Sequence, residues 1–188
     1  KSAGLPAKWV VGDGRSFRLD EQFHLIFLTG NVFQFFLTNA DQAALLEQVH
    51  AHLHPEGLCA FETRNPRWPS LATRPEPYEG MFFHLETHLE ELGAGSETDA
   101  QGRTMRISYT QAYDHVAQIL HVTGYRRWRE GEQEQTQITR TALRYTFPQE
   151  LAALLYAHGF TIIRQYGDWN YEPLTEASPS IIVVCRRQ

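Results

Sequence analysis

Apolar residues are spaced along this chain in three ways, and each spacing predicts a different element. Trp9-Val10-Val11-Gly12-Asp13 and Phe23-His24-Leu25-Ile26-Phe27-Leu28 are short apolar runs, the second closed by Thr29-Gly30-Asn31. Both predict strands buried on two faces. The polar stretch 14–22 between them predicts a loop with a helical turn. Asn39 and Gln42 then have capping-box spacing, and Leu45, Leu46, Val49 and Leu53 follow at helical intervals until Pro55. After the turn His54-Pro55-Glu56-Gly57, Leu58–Glu62 predicts a third strand. Strand, helix, strand is the order that a parallel sheet with a right-handed crossover requires, so residues 1–66 read as α/β.

The middle of the chain changes period. Arg103–Val116, Ala117–Trp128 and Glu134–Phe147 are rich in Thr, Tyr, Ile and Val, with alternation such as Met105, Ile107, Tyr109 against Arg106, Ser108, Thr110. They predict half-exposed antiparallel strands joined at Asp99–Gly102 and Glu130–Glu132. The Pro-rich stretch Arg67–Gly80 predicts irregular structure. Helical spacing returns with Thr146 and Gln149 as a second capping box, Pro148 in the first turn, Leu151, Leu154 and Leu155 on one face, and Gly159 as the stop. Phe160–Tyr166 and Ser180–Arg186 predict two closing strands.

Composition narrows the class. With 188 residues, 42% apolar and 21% charged, the chain suits one globular domain. No apolar run reaches the about 20 residues of a membrane span. Seventeen Lys and Arg against 22 Asp and Glu leave a net charge of −5, which disfavours nucleic acid as a partner. Cys59 and Cys185 each sit in an apolar run and read as buried thiols of a reducing, cytoplasmic compartment. The chain opens on Lys1 rather than Met, and the expectation is that the natural start lies upstream.

The order of phrases resembles a known family. Val10-Val11-Gly12-Asp13, then Phe23-His24-Leu25-Ile26, then a helix into His52-Leu53-His54-Pro55-Glu56-Gly57 and a strand, is similar to class I S-adenosylmethionine-dependent methyltransferases from their fourth conserved block onward. Arg144–Leu151, Gly159-Phe160 and Tyr166-Gly167-Asp168 resemble the end of small-molecule enzymes of the "methyltransferase domain 25" type. The resemblance implies a Rossmann-like sheet of order 3-2-1-4-5-7-6, truncated at its amino end, with an antiparallel β lid. Residues 1–66 would be the later part of that core, 67–145 the lid and 146–188 the helix and hairpin that complete it. Two departures stand out. The family's glycine-rich turn and its ribose-binding acidic residue have no counterpart, and His24 stands where the family usually has Asp. With two strands missing, either upstream residues complete the sheet or Trp9–Asp13 moves in to pair with Leu25–Leu28.

The chemistry implied is in-line methyl transfer from a sulfonium to a nitrogen, oxygen or carbon nucleophile of a small molecule, without metal. Asp13, Gly14 and Arg15 would meet the adenine of S-adenosylmethionine, and Thr29, Gly30 and Asn31 would border the methyl group. Phe33, with Phe35 and Phe36, would wall the pocket, and Tyr109, Tyr113, Trp128, Arg144 and Tyr145 would offer acceptor contacts from the lid. No residue is singled out as a base. His50, His52 and His54, and His84 and His88 beside Glu91, have spacings that weakly suggest metal ligands. The alternative is a non-catalytic methyltransferase-like module that binds a small molecule or a partner. An open sheet edge would favour self-association.

Overall fold

The computed structural model describes residues 7–67, 92–100 and 102–188. The stretch Arg67–Gly80 beyond its first residue, the His84, His88 and Glu91 candidates and the expected start of the lid near Met81 lie outside the described residues. The elements in chain order are β1 (Phe23–Leu28), a 3₁₀ turn (Val32–Phe35), α1 (Asn39–His52), β2 (Leu53–Arg64), β3 (Leu92–Thr98), β4 (Thr104–Asp114), β5 (Ile119–Glu130), β6 (Gln133–Arg144), α2 (Pro148–Ala157), β7 (Phe160–Tyr166) and β8 (Ser180–Arg187). They form two four-stranded sheets, β1-β2-β8-β7 and β3-β4-β5-β6.

The first sheet is mixed. β1 and β2 run parallel, with Leu25 opposite Leu58 and Leu28 opposite Phe61, because α1 carries the chain back between them. β8 pairs antiparallel with both β2 and β7. One face of this sheet presents Cys59, Phe61, Ile181, Val183 and Cys185, and α1 and α2 cover it with Leu45, Leu46, Val49, Leu151 and Leu155. The helical spacing read in the sequence therefore points inward. Cys59 and Cys185 are free, buried and directly opposed, and their mutual hydrogen bond, aided by burial, pushes the Cys59 thiol up.

β1 departs from the expectation of burial on both faces. Ile26 and Leu28 pack into the core, whereas Leu25 is 53% and Phe27 63% exposed on the opposite face. Trp9–Asp13 is not a strand either. It pairs with no strand among the described residues, and Trp9 is 92% and Val11 104% exposed. Direct pairing with Leu25–Leu28 does not occur, and β1 has a neighbour on one side only among the described residues. Apolar content alone does not make a strand: Trp9 and Val11 find no covering face among the described residues, and the run leaves the open edge of β1 unpaired.

Both capping boxes are displaced by one residue. Thr38 caps α1, its Oγ1 accepting from the Asp41 N–H at 3.0 Å, and α2 starts after Phe147, whose N–H donates to Glu150 Oε2 at 3.3 Å. The residues freed from capping, Gln42 and Thr146, are both fully buried and bond each other, Gln42 Nε2 donating to Thr146 Oγ1 at 2.9 Å. Gly57 is required in β2, since a Cβ there would lie 2.8 Å from the His54 carbonyl oxygen.

The second sheet is a meander of hairpins inserted between β2 and α2. Asp99 closes β3–β4 by accepting from the Arg103 N–H at 2.8 Å, and Asp114 closes β4–β5 by accepting from Val116 and Ala117 at 2.8 and 2.9 Å. β3, Leu92–Thr98, is not predicted by the sequence reading; its Gly-containing run has weak strand character and is extended by pairing with β4. At the centre of β4 the small polar positions are the covered ones. Ser108 and Thr110 are 5% and 6% exposed while Tyr109 is 38% exposed, and over Ser108 the cover includes Arg127, which donates to its Oγ at 3.0 Å. Long side chains on a neighbouring strand can shield small residues more fully than they shield an aromatic ring.

Candidate functional site

In open α/β sheets ligands gather outside the carboxyl ends of the parallel strands, here the ends of β1 and β2. β1 closes through Gly30 (φ +69°) and Asn31 (φ 55°), two successive left-handed residues that turn the chain into the 3₁₀ segment. The Gly30 N–H donates to Glu62 Oε1 at 2.9 Å, and the other oxygen of Glu62 accepts from the indole of Trp169 at 2.8 Å. Asn31 Oδ1 is buried and accepts no hydrogen bond from the described residues, as is Thr63 Oγ1 near the end of β2. Buried polar atoms of this kind are unusual, and a group bound at this end of the sheet could supply the donor that the described residues do not.

Asp13, Gly14 and Arg15 form a turn closed by Ser16 N–H to Asp13 O at 3.0 Å. Arg15 bonds Asp13 through its backbone N–H at 2.9 Å and its guanidinium, and reaches Asp41 in the first turn of α1 at 2.8 Å. The Arg15 hydrogen bonds hold the Asp13 carboxyl down at about 2, so it is ionised at neutral pH. Gly14 lies against Phe36 and Leu45. The 3₁₀ turn thus separates the two predicted cofactor segments, with Asn31 at its start and Phe36, packed on Gly14, at its end.

Phe33 sits in the core, fully buried with its ring 4.9 Å from Phe61, while Phe35 is 55% exposed. Arg144, 7% exposed, is the joint between the sheets: it donates to Leu37 O at 3.3 Å, Gln118 Oε1 at 3.3 Å and Glu150 Oε1 at 2.6 Å, while its own carbonyl accepts from Gln34 at 3.2 Å. Tyr113 and Tyr145 stand edge to face at 6.0 Å beside that joint. Burial raises the pKa of both phenols, against the opposing pull of Arg64 and Arg67 on Tyr145 and of Arg144 on Tyr113. Trp128 is not brought to them. It lies near the far end of β5, eight residues beyond Leu120, a span of roughly 27 Å along a strand, and carries Arg103 over its ring at 5.4 Å.

The histidines are dispersed. His52 Nδ1 donates to Gln48 O at 2.7 Å and its Nε2 accepts from the Leu19 N–H at 3.0 Å, so both ring nitrogens are used in holding the chain. His50 sets its ring edge against Phe160, and His54 stacks on His24. No cluster of three metal-binding side chains occurs among the described residues. A hollow of about 620 Å³ beside Arg18, Gln48 and His52 lies at the amino ends of β1 and β2, opposite the carboxyl-end site. No helix among the described residues is long and apolar enough to cross a membrane.

Sequence reasoning pointed to the Thr29–Asn31 turn but missed Glu62 and Trp169. Neither has a local signal, since their significance comes from meeting across the sheet.

No protein-family model and no curated protein matches the chain. Solved structures do. It is similar to an S-adenosylmethionine-dependent methyltransferase from Clostridium acetobutylicum with a TM-score of 0.72 at 12% identity, over 98% of this chain and 66% of that one. It is similar to the CcbJ methyltransferase from Streptomyces caelestis with a TM-score of 0.71 at 18% identity, over 95% and 67% of the two chains. An amino pentose methyltransferase of calicheamicin biosynthesis from Micromonospora echinaspora aligns with a TM-score of 0.64 at 16% identity, over 94% and 63%. The chain has the Rossmann-like fold of class I S-adenosylmethionine-dependent methyltransferases, and it spans about two thirds or less of the length of these structures.

Proposed function

We propose that this chain serves S-adenosylmethionine-dependent methyl transfer to a small-molecule acceptor bearing a nitrogen, oxygen or carbon nucleophile. The observation that carries the reading is the Thr29–Asn31 turn, a left-handed corner at the carboxyl end of β1 with a buried acceptor left unpaired, in a fold shared with such methyltransferases. The bound cofactor supplies an activated sulfonium methyl, so the protein's share of the work is alignment and exclusion of water. Asn31 Oδ1 suits a donor or an electropositive CH group beside that methyl. Gly30 leaves the corner without a side chain. Asp13 and the backbone of Gly14 and Arg15 form the adenine side, with Asp13 kept anionic by Arg15. Tyr113 and Tyr145, neutral phenols beside the joint of the two sheets, are the acceptor-side contacts. Arg144 supports them by holding the lid to the core, and Tyr109 lies farther out on the same strand as Tyr113.

The second reading, a non-catalytic binding module, draws on Asp13: its carboxylate is already bonded by the Arg15 backbone and guanidinium, which an adenine amino group would have to share. Titration calorimetry with S-adenosylhomocysteine separates the two. Saturable binding, weakened by Asn31→Ala, is expected for the methyl-transfer reading; no heat at millimolar ligand would favour the module.

A further inference from the structure

From the contacts that meet at its carboxylate, we infer that Glu62 is a positioning residue, locking the Thr29–Asn31 corner and coupling it to the loop between β7 and β8 through Trp169. The inference rests on the methyl-transfer reading for what the corner does, and on the contacts alone for the lock.

Two segments far apart in sequence converge on a carboxylate carried by a third. Glu62 Oε1 accepts from the Gly30 N–H at 2.9 Å, and Oε2 accepts from Trp169 Nε1 at 2.8 Å. An anchor fixes the corner, because Gly30 at φ +69° is conformationally free and could leave that value, and Asn31, which tolerates the left-handed region, gains no bond at its Oδ1 from the described residues. Glu62 lies on the sheet face opposite the helices, at the end of a row begun by Leu58 and Ala60, where the strand reaches the carboxyl side. A long carboxylate in that half-buried place would sample several rotamers unless something held it.

Trp169 holds it, and the loop that carries Trp169 is itself closed. Gly167 N–H donates to Glu172 O at 2.8 Å, and Asp168 Oδ1 accepts from Asn170 N at 2.8 Å and Glu172 N at 3.2 Å. Asn65, just past β2, donates to Thr175 O and Ser178 O at 3.1 and 2.9 Å. Gly167 packs so tightly on Ser178 that a Cβ would have no room. The indole donor is therefore presented from a fixed frame, and Trp169 stays 54% exposed at the same end of the sheet. A shift of this loop is transmitted through Glu62 to the Gly30 amide.

Two donors facing two oxygens require a carboxylate. A glutamine offers one acceptor and an NH₂ that must face a donor, so Glu62→Gln sets two N–H groups against each other. Removing the indole donor relieves that conflict and lets the amide oxygen turn to Gly30. Trp169→Phe should therefore rescue Glu62→Gln, which a generally weakened fold would not permit.

The test is amide hydrogen exchange at Gly30, followed by NMR in the full chain and in the Glu62→Gln, Trp169→Phe and double variants, with Val183 in the buried ladder as the folding control. Exchange at Gly30 should quicken about tenfold in Glu62→Gln, the loss of one charge-assisted bond, and return to within about twofold of the parent in the double variant. A Gly30 amide that exchanges like an unstructured peptide in the parent, or equally fast in Glu62→Gln and the double variant, overturns the lock. S-adenosylhomocysteine affinity measured on the same four proteins should follow the same order. Equal, measurable affinities across all four would overturn the positioning role. Absence of binding in all four, with exchange in the expected order, would sink the methyl-transfer reading and leave the lock standing.

Discussion

The two sheets of this molecule are stabilised differently. The β1-β2-β8-β7 sheet has one face sealed by α1 and α2 over a continuous core that includes Phe33, Phe61, Leu151 and Val183. The β3-β4-β5-β6 sheet has a longer hydrogen-bonded ladder but, among the described residues, buries little apolar surface: the cluster there is Leu120 and Tyr145, with Tyr113, Val122 and Phe147 against them, all at the end that meets the first sheet. Backbone ladders alone add modest net stability, since water offers the unfolded chain the same bonds. The second sheet therefore depends on its joint. Polar side chains make much of that joint, namely Arg144 with Glu150 and Leu37 O, Gln34 with Arg144 O, and Gln42 with Thr146.

If this contrast is right, substitutions should have very unequal costs. Phe61→Ala should cost about 3–5 kcal/mol in denaturant unfolding, through lost transfer energy and the cavity left behind, whereas Val122→Ala should cost about 1 kcal/mol or less. Comparable losses would break the comparison. Arg144→Met should cost about 3 kcal/mol, because it removes the guanidinium from the partly buried Glu150 carboxylate, which keeps only the Phe147 N–H, and strips the donors from Leu37 O and Gln118 Oε1. It should also separate the two unfolding transitions, read by the fluorescence of a variant that keeps only Trp128 against far-ultraviolet circular dichroism.

Thr146→Val should cost about 1–2 kcal/mol by orphaning the buried Gln42 amide, while Gln42→Leu combined with it should recover part of the loss. The smallest effect concerns pH. Tyr145 and Tyr113 have raised pKa values from burial. The folded state therefore holds their protons more tightly than the unfolded one, and the stabilisation is complete below the ordinary phenol pKa near 10 and is lost as pH rises through the higher folded values. Stability of the joint should fall above about pH 10, and Tyr145→Phe should flatten that decline.

Much of the first sheet was legible because its signals are local. The spacing of Leu45, Leu46 and Val49 needs only the helical period, and the alternation of Cys59 and Phe61 needs only the pleat. The departures came where a residue's meaning depends on a distant partner. Gln42 and Thr146 have the chemistry of caps, yet each is used as a buried bond to the other. Arg144 has the chemistry of a ligand contact, yet it ties the end of β6 to Leu37 O and to Glu150 in the first turn of α2. The candidate site divides likewise: the Thr29–Asn31 corner is announced by its turn residues, while Glu62 sits in an ordinary strand phrase.

By itself the sequence determined the order of most elements, the inward faces of α1 and α2, and the phrases that resemble the methyltransferase fold, because periodicity and turn chemistry act over a few residues. The tertiary structure alone decided that Trp9–Asp13 would not pair, that small hydroxyls of β4 would be covered while Tyr109 stayed open, and that one carboxylate would gather donors from the β1 corner and the β7–β8 loop. Those outcomes depend on which edges and donors are brought within reach, and contact between positions far apart in the chain exists only once the chain has folded.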